Sequence, residues 1–365
     1  MSEIVFILGA GASSEAGAPL MKNFLSRADQ LRRELRTGSY ADDFKRVDDA
    51  ISELTRVHSK AQLNLDDLEE VFGAFEMAKV IQRFPGLPSE DMYSLVRSQK
   101  IDELLQSFKN VIACTLEESI SYPFVNGKFE APASYAKFAN LLRHLQTPSQ
   151  RCTVITFNYD AALDLALYNA GIAIDYGLGD RRANVMPYLK LHGSLNWFPA
   201  RYSPAKVKPW YFADFFRPIR SYETTPNPAQ LRLSEHVAQE QPFVNEQVDP
   251  TPVIVPPTWN KTAYQEAIAS VWSRAAAELS NAEQVFVSGY SLIATDSYFK
   301  YLFALGSVGP SRIREFAVYD PDPQVEQRFK MLLGPGIRGF HFATNPFGQF
   351  TDLVANSLRV KDTGL

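Results

Sequence analysis

Three short stretches place residues able to do chemistry directly after apolar runs. Asn158 and Asp160 lie in TFNYD, His192 and Ser194 in LHGS, and Ser13 in the turn of IVFILGAGASSEAGAP. An imidazole titrates near neutral pH, so His192 can take a proton from an attacking water. A carboxamide both donates and accepts, so Asn158 can hold a hydroxyl and a water together. The turn Gly9, Ala10, Gly11, Ala12, Ser13 carries almost no side chain. Such a turn lets a phosphate approach the main chain where the next helix starts. Each residue also has a plainer role: glycine for a tight turn, Asn158 as a helix N-cap, Asp160 against a helix dipole. Of the other histidines, His58, His144 and His236 read as surface residues and His341 as a packed strand residue.

The elements that must position these groups follow from periodicity. IVFIL, CTVIT, YLKL, QVFVS, REFAVY and GFHFA are short apolar runs bounded by turn residues, and they alternate with helical patterns. That alternation predicts an α/β fold: a Rossmann-like, doubly wound, mainly parallel sheet. Ligands in such sheets sit beyond the carboxyl ends of the strands, where Gly9 to Ser13, Asn158, Asp160, His192, Gly289, Ser291 and Asp320 fall. A helix is expected from Ser13 to about Arg36, with Ser13 and Ser14 able to cap it. Amphipathic patterns through Leu68, Phe72 and Phe75 and through Leu104, Phe108 and Ile112 predict a helical lobe inserted at about 40–130. A loop-rich insertion is expected at about 199–250. The core would then comprise about 1–39, 131–198 and 251–365, in a single domain.

Composition narrows the function classes. The chain has 365 residues, 45% apolar and 21% charged, with a formal net charge of −4. That balance offers no basic field for direct nucleic-acid binding. Two cysteines, Cys114 and Cys152, are too few for a disulfide framework or a cysteine-pair zinc site. No run is long enough to span a bilayer and no basic leader precedes the first strand, so a cytoplasmic protein without membrane contact is expected.

The motifs together carry a resemblance. GAGASSEAGAP is similar to the sirtuin pattern GAGxSxxAGxP, TFNYD to its TxNxD element, LHGS to its catalytic histidine element and SGYSL to its G-[ST]-S-L loop, in the family's order. Three features depart from the deacylases: the cysteine pairs of the zinc ribbon are missing, Leu20, Met21 and Lys22 stand where Asp-Phe-Arg is usual, and the helical lobe is longer. This combination resembles the zinc-free, sirtuin-like, NAD-hydrolysing proteins of prokaryotic anti-phage defence.

That resemblance implies a NAD glycohydrolase yielding nicotinamide and ADP-ribose, the toxic effector of an abortive-infection system. NAD would be the substrate and zinc would be absent. Asn158 would position ribose and water, with His192 as base. Gly9, Ala10, Gly11 and Ser13 would cradle the pyrophosphate. Asp160 would accept from the nicotinamide carboxamide, Gly289 and Ser291 would reach phosphate or ribose, and Asp320 the adenosine ribose. A homo-oligomer is expected, with a protein partner such as a HerA-type ATPase or another infection sensor. The alternatives are a NAD-dependent protein deacylase or ADP-ribosyltransferase, and a non-catalytic nucleotide-sensing module.

Overall fold

A computed structural model describes residues 2–56, 61–126, 128–147, 150–182, 184–212, 231, 233, 248–255, 265–292, 297–309 and 311–360. Seven strands form the central sheet: β1 (Ser2–Leu8), β2 (Gln150–Thr156), β3 (Ile174–Asp175), β4 (Met186–Lys190), β5 (Gln284–Ser288), β6 (Glu315–Tyr319) and β7 (Phe340–Ala343). Their order is β7-β6-β5-β1-β2-β4-β3, and every neighbouring pair is parallel. The predicted doubly wound α/β arrangement is therefore observed. The central strands read as unbroken apolar runs because both faces are covered: Ile4, Val5, Phe6, Ile7 and Leu8 are all buried.

The described helices are α1 (Ala10–Ser14), α2 (Met21–Arg33), α3 (Ala41–Thr55), α4 (Leu68–Ile81), α5 (Ser94–Ser119), α6 (Ala133–Leu145), α7 (Ala162–Asn169), α8 (Gln265–Asn281), α9 (Ser297–Gly306), α10 (Gln324–Leu332) and α11 (Phe347–Ser357). On the sheet, α6 packs on β2 and α11 on β5, and the two helices touch each other; α8 packs on β1 and β4 and against α9. Phe6 of β1 meets Phe138 of α6 edge-on at 5.2 Å and Phe350 of α11 at 6.3 Å. Between α2 and α6, helices α3 and α4 pack on α5 around Phe72, Phe75 and Phe108, and a two-stranded hairpin (Phe124–Val125 with Lys128–Phe129) follows. Asp67 caps α4 by accepting from the Glu69 and Glu70 amides.

Local structure departs from the sequence reading at several points. The helix expected from Ser13 to Arg36 is two helices, because Gly17 takes φ +104° and Pro19 follows. Ser13 lies inside α1 rather than capping it, and the Ser14 hydroxyl donates to the Gly11 carbonyl. His341 lies exposed on edge strand β7, not packed; His144 is exposed, and His58 and His236 fall outside the described residues. Within 199–250, Trp197–Ala200 pairs antiparallel with Ser203–Pro209, so this stretch begins in a hairpin rather than loops; much of the remainder lies outside the described residues. Val253–Ile254 joins Gly193–Ser194 instead of the main sheet.

At the middle of the sheet the loop after β5 crosses the turn after β1 at backbone distance. A Cβ on Gly289 would stand 2.3 Å from the Ala12 nitrogen, and Gly289 also holds φ +62°. At Gly171, φ is +71° with nothing within 4 Å. Gly171→Ala is expected to cost only the left-handed backbone, about 1–2 kcal/mol. Gly289→Ala adds overpacking of roughly 1–3 kcal/mol. Urea unfolding of the two variants measures the difference, and equal losses would refute the close approach.

Candidate active site

The site is built where three adjacent strands end at matched register. Leu8 of β1 pairs with Thr156 of β2, and Thr156 with Lys190 of β4. Ser13, Asn158 and His192 lie in the segments that follow those three strands at the sheet's carboxyl edge. The Thr156 hydroxyl donates to the Leu8 carbonyl at 3.1 Å and accepts from the Asn158 amide at 3.1 Å, which ties the loops together.

Ser13, Asn158, Asp160 and Tyr135 form one buried hydrogen-bonded cluster. The Ser13 hydroxyl donates to Asp160 Oδ2 at 2.6 Å, and Asn158 Nδ2 donates to Ser13 Oγ at 2.9 Å. Tyr135 OH lies 2.7 Å from Ser13 Oγ and 3.4 Å from Asn158 Nδ2. Asp160 Oδ1 accepts the Ala162 amide at 3.0 Å, so Asp160 also braces the start of α7. Burial pushes the Asp160 carboxyl above its ordinary range; the Lys190 ammonium and the bonds from Ser13 and Ala162 pull the other way. Burial and the nearby Asp160 charge raise Tyr135 well above a free phenol, which keeps its proton in place.

His192 is 4% exposed. Phe157 meets its ring edge-on at 5.1 Å, and Tyr159 lies tilted at 6.1 Å. Its carbonyl accepts the Val255 amide at 2.8 Å, and Trp272 Nε1 donates to the preceding Leu191 carbonyl. Phe157 in turn stacks on Tyr290 at 4.1 Å with the rings 7° apart. That stack bridges the loops after β2 and β5 across the end of β1.

The glycines have a use that the sequence reading did not foresee. A Cβ on Gly9 would stand 2.6 Å from Tyr290 Cα, and one on Gly11 would stand 2.7 Å from Gly289 Cα. The Gly9 and Gly11 amides donate to the carbonyls of Ser288 and Gly289 at 3.1 and 2.9 Å. These two donors thus bind protein carbonyls rather than standing open to a pyrophosphate. Ala10 and Gly11 lie half-buried beside them. Ser291 is half-buried, and its carbonyl accepts from Arg328 at 2.8 Å.

Asp320 directly follows β6, two strands away from β1; it is 7% exposed and accepts the Asp322 amide. Burial raises its carboxyl too. The structure therefore brings Ser13, Asn158 and Asp160 into contact, and places His192 after the neighbouring strand with its ring against Phe157 and Tyr159. Asp320 stands apart.

Sequence reasoning missed Tyr135, which reaches the cluster from α6, and the fully buried Lys190. Lysine in an apolar strand run was the one available signal for the latter. For metals, no group of three or more His, Cys, Asp or Glu among the described residues could hold an ion. Cys114 and Cys152 are buried and are not joined in a disulfide, and burial pushes the Cys152 thiol up to about 12. No helix among the described residues is long and apolar enough to cross a membrane.

No family model and no curated protein matches the chain. Among solved structures it is similar to a Sir2 homologue–NAD complex, at 14% identity, with 98% of this chain and 89% of that chain covered and a TM-score of 0.42. A Sir2 homologue mutant–ADP-ribose complex gives 14% identity, 99% and 94% coverage and a TM-score of 0.40. A Sir2–p53 peptide–NAD+ complex gives 13%, 98%, 94% and 0.39.

The raised Asp160 carboxyl sets a pH dependence. A carboxyl whose folded-state pKa exceeds its unfolded value of about 3.8 binds more protons when folded, so its contribution to stability falls as pH rises through that window. Asp160→Asn keeps one acceptor oxygen for the Ala162 amide, lets Ser13 Oγ accept from the new NH2, and removes this titration. Its stability relative to the wild type is expected to improve between pH 4 and 7 in urea unfolding. A constant difference would show that Asp160 titrates normally.

Proposed function

We propose that the chain is a NAD glycohydrolase, releasing nicotinamide and ADP-ribose. The observation that carries this reading is the convergence of Ser13, Asn158 and Asp160 in one buried cluster, with His192 leaving the next strand at matched register. The four sequence motifs shared with sirtuins name the substrate class. Cleavage breaks the bond between the nicotinamide nitrogen and the anomeric carbon. The electron pair returns to the cationic ring, which leaves neutral, so no strong general acid is needed. Asn158 holds the ribose and the attacking water, and the water's proton passes to His192. Asp160, in the same cluster, accepts from the nicotinamide carboxamide in this proposal.

The cluster is closed: Asn158 is 8% exposed, Asp160 4% and His192 4%. NAD entry therefore requires a movement of the loops that cover it. We take this closure as the restraint that a NAD-destroying enzyme needs in its host. In this proposal the protein is a homo-oligomer, an abortive-infection effector opened by a partner such as a HerA-type ATPase or another infection sensor. The inserted helices and the stretch at about 199–250 are the proposed contact surfaces.

Purified protein incubated with NAD and no acyl-lysine is expected to release nicotinamide and ADP-ribose in equal amounts. His192→Ala and Asn158→Ala, still folded by circular dichroism, are expected to lose on the order of 10²–10⁴-fold in rate. Release only with an acylated peptide would favour a deacylase. Binding of NAD without any release would favour a sensing module. Full activity of folded His192→Ala would overturn the mechanism.

A further inference from the structure

Lys190 is the least expected residue in the sheet. It ends β4 two residues before His192, and it is 0% exposed. Its ammonium is held inside the protein. Nζ donates to the main-chain carbonyl of Asp160 at 2.7 Å and to Asp164 Oδ2 at 3.0 Å. Asp164, 2% exposed in the first turn of α7, also accepts from Tyr188 OH at 3.1 Å, Asn196 Nδ2 at 3.4 Å and Tyr176 OH. The carboxylate is thus well satisfied by neutral donors besides its cation.

A second grip lies two residues past His192. The Leu195 amide donates to the Tyr159 carbonyl at 2.9 Å, and Ser194 Oγ lies 3.2 Å from the same carbonyl, its one proton shared between that oxygen and Asn196 Oδ1. Ser194 is itself oriented by Asn196 Oδ1, and Asn196 is held by Tyr176 OH and the Trp210 carbonyl. The segment carrying His192 therefore holds consecutive carbonyls, Tyr159 and Asp160, of the segment carrying Asn158. A bare buried ion pair would need neither contact, because replacing such a pair with apolar groups is often neutral for stability.

We propose that Lys190 is a positioning residue: held by Asp164, it grips the Asp160 carbonyl and so sets Asn158 and Asp160 against His192, with Ser194 as the second grip. The kinetic part rests on the NAD-cleavage reading; the geometric part does not.

Lys190→Met alone strands the Asp164 carboxylate in the interior and is expected to unfold easily. The informative protein is therefore Lys190→Met with Asp164→Asn, which removes both charges while the new carboxamide oxygen keeps an acceptor for Tyr176 and its NH2 can donate to Tyr188 OH. It is expected to unfold cooperatively near the wild-type midpoint. Its kcat for nicotinamide release is expected to fall about 10–100-fold, because small misplacements of reacting groups cost that much. Its KM for NAD is expected to change less than kcat, because the altered side chains do not touch NAD and displaced reacting groups cost more in the transition state than in ground-state binding. A stable double variant with wild-type kcat would overturn the proposal.

If the double variant does not fold, Ser194→Ala tests the second grip alone, with an expected fall in kcat of about 3–10-fold; an unchanged kcat there overturns the proposal as well. If the wild type releases no nicotinamide, the function reading fails and the geometry decides. A crystal structure of the double or Ser194→Ala variant with residues 158–160 displaced supports the proposal, and one with them unmoved overturns it.

Discussion

Everything at the carboxyl edge of the sheet depends on how closely the loop after β5 can cross the turn after β1. Two carbonyls of one loop accept two amides of the other, and three glycines remove the side chains that would hold them apart. This contact brings Tyr290 over the end of β1 to stack on Phe157. Phe157 in turn forms one wall beside His192. The glycine-rich turn thus acts as a packing device, so an alanine at Gly9 would disturb the aromatic wall as well as the turn.

A second constraint is electrostatic. Asp160, Asp164 and Lys190 are all buried beneath one end of the sheet. Burial disfavours each charge, and the arrangement survives because every one of them meets hydrogen-bond partners of suitable type. Such a network resists small adjustments, since moving one member leaves another unsatisfied. The network therefore fixes the segment that carries Asn158 and Asp160.

The strands were legible because a strand buried on both faces needs an uninterrupted apolar run, and IVFIL, CTVIT, QVFVS and EFAVY are such runs closed by Gly, Asn or Asp. The residues beyond them were legible for the same reason: polarity resumes where the sheet ends. Tyr135 was not legible. It reads as one more apolar position on α6, and its partner Ser13 lies 122 residues away. Lys190 looked like a polar member of an otherwise apolar strand, and only the fold supplies the carbonyl and carboxylate that justify it. The two-residue strand β3 and the hairpin at Trp197–Pro209 are too short or too proline-rich for periodicity to reveal. The break at Gly17 is a failure of a different kind. The glycine was visible, but its positive φ depends on the backbone of Ser119, which would stand 2.4 Å from an added Cβ.

Strand β1 lies at the centre of the sheet yet emerges first of the seven. Its neighbour on one side begins with Gln150 and its neighbour on the other with Gln284. At a synthesis rate of about 5–20 residues per second, some 150 residues of waiting leave β1 without a partner for roughly 7–30 s. During that interval an apolar strand with two open edges is a template for pairing with other nascent chains. Helices α3 to α5, which contact one another and α2, can assemble on the ribosome in the meantime. The long interval between the first two sheet strands is therefore filled by the part of the chain best able to fold while translation continues.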